Sequence, residues 1–172
     1  YWMWINGQMV VFEGGLKRGP NPTDTYYDHV DIGPYLTEGK NSIAILMWYF
    51  GKDGFSHNSS GRAGLLFDCQ TDKFQILSDA SWRCKPYEAY QQTGAPYPNW
   101  RLPESNIRFD ARKEYVGWTE KDAKPNFYRA VPLGHAGIAP WNNLVERPIP
   151  LWKDYGIQDY SSIEKREGAE VD

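Results

Sequence analysis

Apolar and polar positions alternate along this chain in short runs, and glycine, proline or asparagine closes almost every run. Trp2 to Ile5 and Met9 to Phe12 are apolar stretches separated by Asn6-Gly7, a dipeptide that supplies the two positive-φ positions of a tight hairpin turn. A hairpin is therefore expected at the start. Gly14 to Pro22 is a loop built on Gly and Pro, and Thr25 to Ile32 alternates well enough for a strand. Leu36 to Asn41 reads as a turn. Ser42 to Phe50 is apolar at successive positions, which predicts a central strand covered on both faces.

Gly51 to Arg62 turns polar and glycine-rich, a loop of about a dozen residues, a length associated with function or disorder. Ala63 to Cys69 and Lys73 to Leu77 predict two strands joined by a turn at Gln70-Thr71-Asp72, and Ser81 to Cys84 predicts another. Pro86 to Pro103 is irregular, and its Tyr87, Tyr90, Tyr97 and Trp100 need a surface to cover, either a sheet edge or a neighbouring domain. An extended run follows from Ile107 to Trp118. Val145 to Leu151 is a last strand, which Pro148 and Pro150 confine to an edge. About eight short strands without a sustained 3.6-residue period predict an all-β antiparallel sandwich or jelly roll. The domain is expected over residues 1–156, with 157–172 a charged linker or tail. Tyr1 to Gly7 reads as the middle of a strand reaching a turn, which predicts a piece of a longer polypeptide.

Composition narrows the function classes. The 19 Lys and Arg against 22 Asp and Glu leave a formal charge of -3, and no block of like charge steers the molecule toward nucleic acid. No run is long enough to span a membrane as a helix. Aromatic residues make up 16% of the chain, and flat rings with a polar edge suit both a β core and the face of a sugar. Cys69 and Cys84 are too few for a disulfide scaffold and lack metal-knuckle spacing. They form one bridge or remain two buried thiols.

Glycoside hydrolysis needs two facing carboxyl groups, and the acidic residues here are scattered, Glu104, Asp110 and Glu114 included. No catalytic residue is assigned. Candidate binding residues lie elsewhere. Asp53, His57 and Asn58 in the Gly51 to Arg62 loop can read vicinal hydroxyls, with Trp48 or Trp82 as a stacking ring; the alternative is an ordinary polar loop. Asp110 and Arg112, two apart in the extended run, share a face and form either a structural pair or a clamp on a sugar hydroxyl or adjacent domain. His29, His57 and His135 are too dispersed for zinc, and Asp53 with Asn58 is a thin beginning for calcium.

Several short words occur in a telling order. Tyr1 to Gly7 is an aromatic strand ending in Asn-Gly; Asp31 to Leu36 is followed by Gly39-Lys-Asn41; Ser78-Asp-Ala-Ser-Trp82 and Phe109-Asp-Ala-Arg112 come next, with Gly117-Trp118 just after. This ordered set resembles words of the bacterial α-L-rhamnosidases. The resemblance covers most of residues 1–118. It implies a galactose-binding-like jelly-roll accessory domain packed near an (α/α) barrel that carries the catalytic carboxylates, in an extracellular or periplasmic bacterial enzyme. In some members such a module binds L-rhamnose with a calcium ion. Two stretches depart from the pattern: Asn106-Ile-Arg108 stands where Gly-Glu commonly precedes the Asp-Ala-Arg word, and Phe50-Gly-Lys-Asp-Gly-Phe55 replaces a plain Gly-Trp-Tyr.

Overall fold

The computed structural model describes residues 1–15, 19–54, 58–95 and 106–162. Among them the regular structure is β, with two 3-10 turns at Gly33–Tyr35 and Ala111–Lys113 and no α-helix. The largest sheet has three antiparallel strands in the order β2-β1-β4, formed by β1 (Trp2–Ile5), β2 (Gln8–Val11) and β4 (Ile43–Leu46). The β1–β2 hairpin forms as the sequence predicts. Asn6 and Gly7 hold φ of 54° and 83°, the two left-handed positions that let a two-residue turn follow the strand twist. A bulge between Met3 and Trp4 shifts the register, so that Met3 faces Val11 and Trp4 faces Met9.

The bulge keeps like residues on like faces. Met3, Ile5 and Val11 are buried on one side of the sheet, while Trp2 and Trp4 project from the other, as the period of two requires. Burying Ile5 and Val11 completely stabilises the hairpin by about 2–3 kcal/mol each. On the second face the rings form a continuous chain. Phe12 stacks on Trp2, Trp2 meets Trp4 edge-on, and Trp4 meets Trp118 at 5.5 Å between centroids. Trp118 contacts Tyr87 and Phe127, and Tyr87 reaches Tyr115 and Tyr90. Tyr90 ends the chain on Phe109 at 4.9 Å. These rings bind the main sheet to β8 (Tyr90–Gln92) and β9 (Ile107–Phe109), which pair antiparallel.

The remaining strands pair two by two. β5 (Asp68–Gln70) and β6 (Gln75–Leu77) form a hairpin, and β7 (Arg83–Cys84) pairs with β10 (Tyr128–Arg129). β3 (Thr25–Tyr27) lies parallel to β11 (Leu144–Glu146). That pairing ties the two ends of the domain together, with Thr25 N donating to Asn143 O and Arg147 N to Tyr27 O.

Several expected elements differ in extent or position. The run from Ser42 to Phe50 yields a strand only at Ile43–Leu46, and it lies at the edge of its sheet while β1 is central. Met47, Trp48 and Tyr49 continue exposed, because an apolar run on both faces does not say which strand finds two neighbours. The Thr25 to Ile32 strand stops at Tyr27, where Asp28 turns inward to a buried partner. Ile107 to Trp118 is extended only to Phe109; Asp110 then caps a 3-10 turn, and Gly117, at φ 73°, lies in an ordinary turn after it. β8 arises inside the segment expected to be irregular, and β10 has no counterpart in the sequence pattern. Cys69 and Cys84 are unbridged, the first half-buried and the second exposed, so neither the bridge nor the pair of buried thiols holds.

Candidate functional site

The motif words prove to be turn-forming devices. Asn6 clamps the return of the chain: its Nδ2 donates to Tyr35 O and Asn41 Oδ1, and its Oδ1 accepts from Ser42 N. Asp31 Oδ1 accepts from Gly33 N at the first 3-10 turn. Asn41 closes the next turn by accepting from Thr37 N and donating to Thr37 O and Gly39 O, around a Gly39 at φ 82°. Asp79 Oδ1 accepts from Ser81 N, and Trp82 Nε1 donates to Leu77 O while its ring lies 5.2 Å from Phe67. Short polar side chains that bond backbone two or three residues away do this generally.

Asp110 and Arg112 do pair, though at a turn and not along a strand. Both Asp110 oxygens accept from the guanidinium at 2.8 Å, and Oδ1 also accepts from Arg112 N. These bonds hold the Asp110 carboxyl below its ordinary range, because they favour the ionised form. The Arg112 side chain is 89% exposed, so the pair is surface structure of modest energy.

Trp48 is exposed and lies 6.0 Å from Phe50, whose ring Lys52 overlies. Asp53 Oδ1 accepts from Ser59 N and so pins the loop, and Asn58 is exposed. His57 lies outside the described residues, as do Glu104, Tyr97 and Trp100. Trp82 meets the Phe67 ring and is tied through Nε1 to Leu77 O. Among the described residues no group of three or more His, Cys, Asp or Glu side chains is placed to hold a metal ion, and no helix is long and apolar enough to cross a membrane.

The most organised polar cluster sits where the sequence pattern gave no signal, at the ends of β3 and β11. Asp28 and Arg147 form an ion pair with side chains only 5% and 3% exposed. Asp28 Oδ1 accepts from Arg147 Nε, and Oδ2 accepts from the Tyr1 hydroxyl at 2.9 Å and Gly15 N at 3.1 Å. Burial, with the Asp28 carboxylate second, pushes the Tyr1 phenol well above its ordinary value. Arg147 Nη1 and Nη2 are buried and have no hydrogen-bond partner. Asp28, His29, Glu146, Arg147 and the run from Pro148 to Leu151 line a pocket of about 340 Å³. Nothing in single-residue spacing could have found this site, since Asp28 and Arg147 are 119 residues apart.

No protein-family model, no curated protein and no solved structure matches the chain.

Proposed function

We infer that this chain is a non-catalytic β module of an α-L-rhamnosidase-like glycoside hydrolase, built on the plan of a galactose-binding-like jelly roll. In this reading it packs against the catalytic barrel of a larger extracellular or periplasmic bacterial enzyme. The observation that carries the packing role is the distribution of apolar side chains. Among the described residues Met3, Ile5, Val11, Ala44 and Ala89 are the buried apolar ones, while Trp48, Leu66, Val116, Tyr128, Val131 and Trp152 are all more than half exposed. Exposed apolar side chains mark an interaction face where they form one patch, and that is the arrangement the packing role requires. The ordered words of residues 1–118 supply the family. The non-catalytic reading is supported by the engagement of Asp28, Asp79 and Asp110 in structural bonds.

Two measurements on the isolated chain test it. A chromogenic α-L-rhamnoside should show no turnover, and an apolar-surface dye such as anilinonaphthalene sulfonate should fluoresce strongly with the folded chain. Sustained turnover would overthrow the non-catalytic role. Weak dye fluorescence from a stable monomer would remove the packing role.

A second reading, a carbohydrate-binding module for L-rhamnose or a related sugar, is favoured by one observation: the Trp48 ring is 59% exposed beside the polar loop. Calorimetric titration with L-rhamnose, with and without calcium, separates the two readings, since only the binding module should release saturable heat that Trp48→Ala abolishes.

A further inference from the structure

We propose that Asn6 is a site of spontaneous deamidation that becomes reactive only when the β1–β2 turn opens, and that the change, once made, disables the clamp Asn6 provides. The proposal does not depend on the packing role inferred above.

Asn6-Gly7 is the one Asn-Gly step in the chain. Glycine has no side chain to shield its amide nitrogen, so the Gly7 nitrogen is able to attack the Asn6 carboxamide carbon. A bond forms from that nitrogen to Cγ, the Cγ–Nδ2 bond breaks, and Nδ2 leaves as ammonia with the Gly7 amide proton. Water then opens the succinimide at either carbonyl, leaving an aspartate or an isoaspartate at position 6.

The folded turn opposes the first step. Ring closure needs the Asn6 Cβ and the Gly7 nitrogen on the same side of the Cα–C bond. Asn6 sits in the left-handed region at φ 54°, which goes with a ψ of about 30–50°, and that rotation sets Cβ and the nitrogen nearly opposite each other. The carboxamide is also held at both ends. Its Nδ2 donates to Tyr35 O at 3.1 Å and to Asn41 Oδ1 at 2.8 Å, while Oδ1 accepts from Ser42 N at 3.0 Å. The backbone adds a bond from Asn6 N to Ser42 O. Turning the side chain to Gly7 costs the turn and these contacts together, so the reactive geometry belongs to the opened hairpin.

The product does not restore the clamp. An ionised carboxylate only accepts hydrogen bonds, and where Nδ2 stood it faces two acceptors, Tyr35 O and Asn41 Oδ1. Asn41 has no spare donor to offer, because its Nδ2 already donates to Thr37 O and Gly39 O. Glu120 adds to the mismatch: a Cβ built on Gly7 would lie 2.7 Å from Glu120 Oε2, so a new negative charge in the turn arises beside an existing one. Isoaspartate disturbs more, since it inserts a backbone carbon into a two-residue turn that sets the register of β1 against β2.

The test follows conversion of Asn6 by mass spectrometry of the peptide that contains it. The chain is incubated folded in buffer and unfolded in guanidinium chloride, at the same mildly alkaline pH and temperature. Asn6 should convert in the unfolded chain and at least about tenfold more slowly in the folded one, because reaction waits for opening. A smaller difference overturns the proposal, as does absence of conversion in both states. Asn6→Asp, which is one of the two products, should melt about 2–4 °C or more below the parent chain. Gln8→Glu adds the same charge at an exposed position just past the turn and should melt with the parent. Failure of Asn6→Asp to fold beside a folded Gln8→Glu is the extreme of the expected loss. Equal melting of Asn6→Asp and the parent, or an equal drop in both variants, overturns the role of the clamp and the proposal with it.

Discussion

Asp110 holds the Arg112 guanidinium through both carboxylate oxygens and also caps the turn that follows β9. Its lowered pKa is a statement about stability. Unfolding returns the group to its ordinary carboxylate value, so its contribution is complete above that range and is lost as pH falls through the lowered folded value. Asp110→Asn should therefore lower the melting temperature at neutral pH, and the gap to the parent chain should close on acidification. Melts followed by circular dichroism across that range check this; a gap that is the same at every pH would show that the charge is not what matters. Asn6, by contrast, was readable directly from its neighbour: an Asn-Gly pair between apolar runs needs two positive φ angles, and both appear. The further bonds of Asn6 to Tyr35, Asn41 and Ser42 involve residues too distant in the chain for any local pattern to show.

Elements are held here by rings more than by long ladders. The strands outside the main sheet have two or three residues each, and pairs this short are marginal without a packed face. The chain of rings from Phe12 to Phe109 supplies that face, with Trp118 at its junction, touching Trp4, Tyr87 and Phe127. Trp118→Ala should cost about 3 kcal/mol in urea unfolding, a figure typical of a large aromatic truncated in a core. A loss below about 1 kcal/mol would mean the rings are surface contacts and not the joint between sheets. The aromatic content announced a packing or binding role for these residues. Their sequence positions did not assign Tyr87 and Tyr90 to ring packing within the chain, because the segment around them lacks alternation and its strand forms only against β9.

At the scale of the whole molecule, a parallel strand pair and a buried ion pair join residues separated by more than a hundred positions. β3 and β11 bring Asp28 to Arg147, and removing one partner of such a pair leaves the other charged and buried. Arg147→Ala should cost about 3–5 kcal/mol, measured by chemical denaturation. A cost under about 1 kcal/mol would show that water or rearrangement satisfies Asp28 equally well. The exposed apolar side chains belong to this scale too, since among the described residues few apolar side chains are fully buried, which leaves a fold little margin.

Local chemistry determined much of this protein by itself. The β class, the opening hairpin and the Thr71 turn between β5 and β6 follow from φ preferences and alternation acting within a few residues. Only the tertiary structure decided which strand is central, where the Thr25 and Ile107 runs stop, and that the best-organised polar site is Asp28 with Arg147. Those outcomes depend on which distant segments meet, and burial of a charge has no signature until its partner has arrived.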